Sequence, residues 1–121
     1  MNPLFDAEQS HAVMAPALFF QAWKMGVEVA GIRFFGHGDH ETFRAAWSLA
    51  LLRPALTQIR EEFDTLNSGK KIFLATMVSF YDRDAGQELL TRAGVCSLPD
   101  LSYLDLKRRR IIAMLLLNYI A

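Results

Sequence analysis

Two imidazoles and two carboxylates fall within the five residues His37-Gly38-Asp39-His40-Glu41, just after Gly36. These are donor types that bind zinc or iron, and a glycine-flanked turn gives them freedom to converge on one ion, with His11 as a further imidazole. The spacing nevertheless matches no closed zinc site and no His-Glu-x-x-His motif. A plainer role competes for the same residues. Asp39 can accept amide hydrogens at a helix start, and Gly36 and Gly38 can terminate the helix before it. His37, Asp39, His40 and Glu41 are therefore the metal candidates, and capping is the reading the spacing favours; no cofactor is expected.

Three other groupings bear on chemistry. Cys96 stands alone and precedes a helix start, where backbone amides lower a thiol pKa, but no histidine lies near it in sequence to act as a base. Asp82-Arg83-Asp84-Ala85-Gly86 has the look of a calcium loop yet places glycine fifth and Ala93 twelfth, where a bidentate carboxylate is needed, so capping again fits better. Lys107-Arg108-Arg109-Arg110 concentrates four cations in one turn, enough to attract phosphate, nucleic acid, anionic lipid or an acidic partner. Because cations oppose the dipole at a helix start, pairing with the acids around Glu61, in the same chain or a second copy, is the expected compensation.

Composition narrows these options. The 121 residues suit one domain, 52% of them are hydrophobic, and 13 basic side chains balance 13 acidic ones. A formal charge of zero argues against a dedicated nucleic-acid binder, which needs a net basic face, although regulatory binding through Lys107–Arg110 stays as an alternative. Residues 1–66 hold eight acids and five bases, and residues 67–121 hold five acids and eight bases, an asymmetry that favours pairing between the halves or between two copies. A lone cysteine and an acidic start without an apolar stretch point to the cytoplasm.

The elements that would position these groups read as helices throughout. Pro3 opens a short helix to about Met14, and Pro16 opens a second to about Phe35, closed by Gly36 and Gly38. Within it Ala22, Gly26 and Ala30 recur every four residues, a line of small side chains on which another helix could come close. Asp39 caps the next segment, whose buried face reads Phe43, Trp47, Ala50 and Leu51, then Leu52, Leu56, Ile59, Phe63 and Leu66 after a break at Arg53-Pro54. Residues 70–81 fit helical period despite β-branched Ile72, Thr76 and Val78. Asp82 or Asp84 caps a helix ending at Arg92-Ala93, Gly94 suits a left-handed terminus, Ser97-Leu98-Pro99-Asp100 has capping-box spacing, and Asp105 caps the last helix through Tyr119. The sum is an all-α bundle of six or seven helices with no strand.

The apolar run after the four cations, Ile111 to Ala121, covers only about 16 Å as a helix, too short for a bilayer, and lacks the polar face of a surface-lying helix. Its pattern puts Ile111, Ile112, Leu115, Leu116 and Tyr119 on the core and leaves Met114, Leu117 and Ile120 for a second cover. The expected protein is a small, soluble, non-catalytic interaction protein, homodimeric through the last helix and the Ala22-Gly26-Ala30 line. The alternative is a metal- or ligand-binding protein or enzyme that uses the His37–Glu41 turn, with Phe19, Phe20, Trp23, Phe34 and Phe35 around a pocket.

Overall fold

Pro16 does not end a helix, because it lies on the exposed side of one continuous α1, Pro3–Ala30. The carbonyl it leaves without a partner belongs to Ala12, which also faces water, so solvent replaces the lost hydrogen bond and the two expected helices are one. The computed structural model describes residues 3–120, with side chains from Asp6 onward.

α1 stops at Ala30 rather than Phe35 because Gly31 adopts φ 125°, which only glycine enters freely. The chain continues through a 3-10 turn, Ile32–Phe34, and then straightens. Phe35 pairs with Pro54 in an isolated antiparallel bridge, with Gly36 N–H donating to Arg53 O at 2.8 Å and Ala55 N–H to Phe34 O at 2.8 Å. Proline suits this pairing, since the bond it cannot donate is not one the bridge uses. The break expected at Arg53-Pro54 is thus a crossing of two extended segments.

Between them α2, His40–Ala45, is short, and a 3-10 turn spans Leu49–Leu52. Ala46 turns extended, so the helical face read through Trp47, Ala50 and Leu51 does not form; all three are exposed, and only Leu52 of that stretch is fully buried. α3, Leu56–Glu62, a 3-10 turn at Phe63–Thr65, α4, Ser68–Tyr81, and α5, Arg83–Arg92, follow. Asn67 accepts from Lys70 N–H at 2.9 Å to cap α4, and Asp82 accepts from Ala85 N–H at 3.0 Å to cap α5. Gly94, φ 82°, closes α5 with Val95 N–H on Leu90 O and Gly94 N–H on Thr91 O, the Schellman arrangement. Asp82→Ala should cost about 1 kcal/mol in chemical denaturation, because one carboxylate both caps α5 and fixes the corner after α4.

A 3-10 turn, Leu98–Tyr103, leads to α6, Leu106–Asn118. Among the described residues the fold is all-α, six helices and four 3-10 turns with no strand. One apolar core joins Trp23 and Val27 of α1, Phe34, Phe35, Leu52, Ile59 and Phe63, the buried face of α4, Leu89 of α5 and Ile111 and Leu115 of α6. α1 lies along α6 and touches α4, and α4 and α5 form a tight helical hairpin. None of the helices described is long and apolar enough to cross a membrane.

Candidate functional site

The small-residue line of α1 is used inside the chain. Ala22 and Gly26 are buried, and a Cβ at Gly26 would stand 2.6 Å from Met77 Cε and 3.4 Å from Ile111 Cγ2. α4 and α6 therefore occupy the surface that the sequence offered to a partner, and Ala30 is half-buried against the same core. This corrects the expected contact role of Ala22, Gly26 and Ala30: their smallness serves helix packing within the chain.

The last helix is also rotated from its expected setting. Its buried line is Ile111, Leu115 and Asn118, spaced four and three apart, with Ile112 and Met114 half-buried beside it. Met114 thus leans on the core, whereas Leu116 and Tyr119, both expected inside, are exposed together with Leu117 and Ile120. Asn118 tolerates burial because its amide donates to Met114 O at 2.9 Å within its own helix.

The four cations do not meet the acids near Glu61. Those acids take other partners: Glu62 meets Arg33 at 3.1 Å and Asp64 meets Arg92 at 3.2 Å, while Arg60 reaches Glu88 at 3.1 Å. Arg108 instead pairs with Asp105 at 2.6 Å, and Arg109 donates to the carbonyls of Leu104 and Ser102, closing the turn before α6. Lys107 and Arg110 make no ion pair among the described residues.

Two carboxylates hold this joint through backbone amides. Asp105 accepts from Arg108 N–H at 2.9 Å, and Asp100 accepts from Cys96 N–H at 2.7 Å and Ser97 N–H at 3.0 Å. The amides of Cys96 and Ser97 hold the Asp100 carboxyl below its ordinary value of 3.8, and the Arg108 amide does the same for Asp105. A lowered folded pKa contributes stability above the unfolded value that is lost as pH falls through the folded one. Thermal melts between about pH 5 and pH 2 should therefore show a loss that is smaller in an Asp100→Asn, Asp105→Asn double variant.

The His37–Glu41 turn does not close around an ion. His37, Asp39, His40 and Glu41 are all exposed, and no group of three or more potential ligands comes together among the described residues. Asp39 occupies the cap position of α2 without a side-chain hydrogen bond to a backbone amide, and the Thr42 side chain holds its carboxyl below the ordinary value. The spacing Glu8-x-x-His11, which in pairs holds di-iron centres, occurs once. His11 Nε2 there donates to Leu117 O at 2.6 Å, tying α1 to the last turn of α6. Cys96 is exposed on the loop before the last 3-10 turn.

What the fold does assemble is an open groove of about 590 Å³ between α1, the 47–49 segment and the end of α6. Its floor is an aromatic triangle: Phe19 and Phe80 lie 6.1 Å apart between ring centres, and Tyr119 stands 5.9 Å from one and 5.7 Å from the other. Phe20, Trp47 and Ile120 line its walls, and Gln21 and Ser48 supply polar groups at its edge. Of the aromatics expected around a pocket, Phe19 and Phe20 belong here, while Trp23, Phe34 and Phe35 are buried core. Trp47 and Tyr119 were expected on buried helix faces instead, and with Phe80 they reach the groove from three separate segments, which local spacing does not bring together. No protein-family model matches the chain, and no curated protein or solved structure proves similar to it.

Proposed function

We propose that this chain is a non-catalytic, cytoplasmic protein-interaction protein that works as a homodimer, docking through the apolar surface around the α1–α6 groove. One observation carries the reading. Val13, Met14, Trp47, Leu116, Leu117 and Ile120 are 81, 57, 79, 68, 67 and 52% exposed. Six large apolar side chains more than half exposed are what one side of a standard interface, about 800 Å² per partner, would cover.

Monomeric proteins rarely carry a continuous apolar patch much beyond about 300–600 Å². Trp47 and Ile120 line the groove itself, Val13 stands three and four residues before Pro16 and Ala17 of its wall, and Leu117 lies where His11 meets the last turn of α6. Light scattering on a sizing column should give twice the monomer mass, and Trp47→Glu or Leu117→Glu should return the chain to monomer with its helical signal intact. A strict wild-type monomer up to about 100 µM, weaker than any useful dimer constant, would overturn the reading.

A further inference from the structure

We infer that the two copies pair their first helices antiparallel, crossing at Pro16-Ala17, so that the leading half of each α1 lies over the aromatic groove of the other. The inference rests on the homodimer just proposed and specifies its geometry. Ala15 is the first fully buried residue described in α1, and residues 7–10 and 12–14 are exposed. About 14 Å of helix from Asp6 to Met14 thus runs along the surface, and His11 there bonds Leu117 of α6.

The flank of α1 beside the groove carries Asp6, Val13, Pro16, Ala17, Phe20 and Lys24 at helical spacing. A two-fold axis between residues 16 and 17 sets residue 13 of one helix opposite residue 20 of the other. Phe20 lines the groove, so the same operation seats the partner copy's Val13 at the groove wall beside Trp47 and Ile120. The residues at the axis are Pro16 and Ala17, both exposed and small enough for close approach.

Charge selects the direction. Antiparallel pairing brings the Asp6 end of one helix to the Lys24 end of the other, whereas parallel pairing sets like charges side by side. Lys24 Nζ donates to Arg44 O at 3.1 Å and Ala46 O at 3.3 Å and stands 5.2 Å from the Phe43 ring centre, which fixes its charge at the end of the face that the partner copy's Asp6 would approach.

Single-cysteine variants test the crossing in the full chain, with Cys96→Ser as background. Ala17→Cys lies next to its own copy across the axis and should form an interchain disulfide under mild oxidation. Val13→Cys lies about 10 Å along the helix from its own copy and should not. Bridging by Val13→Cys with none by Ala17→Cys would overturn the geometry, as would bridging by neither variant in a chain that is dimeric by light scattering. A wild-type monomer would overturn the homodimer itself, leaving the groove to a small apolar ligand, for which uptake of a solvatochromic dye is the readout.

Discussion

Gly86→Ala is expected to destabilise the fold by about 3 kcal/mol, a lowering of the urea midpoint by about 1.5 M for a chain of this size. Gly86 is buried where α5 folds back on α4, and a Cβ there would run into Ser79 Cα and lie 2.5 Å from Ser79 Cβ and 2.7 Å from Ser79 N. Two of those atoms are backbone, so no rotamer change relieves the clash; the helices must separate. Removing the Ser79 side chain should accordingly fail to rescue the variant. Full stability in Gly86→Ala, or rescue by Ser79→Gly, would show that the hairpin is looser than this contact requires.

The second large effect belongs to Trp23. Its indole is fully buried, donates to Leu52 O at 2.9 Å and meets the Phe35 ring edge-on at 5.7 Å. It therefore ties α1 to the segment that ends at the Phe35–Pro54 crossing. Trp23→Ala should cost about 3–5 kcal/mol through the cavity it leaves. Trp23→Phe keeps an aromatic ring but orphans a buried carbonyl, and should still cost about 1–3 kcal/mol. Equal stability of Trp23→Phe and wild type in equilibrium denaturation would remove the hydrogen bond from this account.

What the sequence made legible divides along physical lines. Asp82, Asp105 and Gly94 act within four residues of where they stand, and local spacing located each. The helical character of residues 70–81 was legible too, because a period of 3.6 persists through the β-branched positions. Pro16 misled because its cost depends on which side of the helix faces water, a tertiary fact. Gly31 was passed over because Ile32, Phe34 and Phe35 continue the apolar pattern beyond it.

The site was less legible than the fold. Gly26 announced a close approach but not its partner, since a gap in a helix surface does not specify which surface fills it. In the last helix a run of leucines and isoleucines leaves the rotation undetermined: Ile111 and Leu115 could face inward with either Leu116 or Asn118. The structure chose Asn118, whose amide can bond within the helix, and so turned Leu116 outward. That choice builds the exposed face.

Pairing the first helix with the last also constrains the order in which the molecule can be completed. The α4–α5 hairpin joins neighbours in sequence, so it can form while the rest of the chain is still being made. The Gly26 face of α1 has no such near neighbour, because Met77 comes 51 positions later and Ile111 85. During synthesis that face can be covered in part once α4 has emerged, but it is completed only when residues 106–118 have left the ribosome, and the interval before then is when a nascent α1 is most open to capture by chaperones or by other nascent copies.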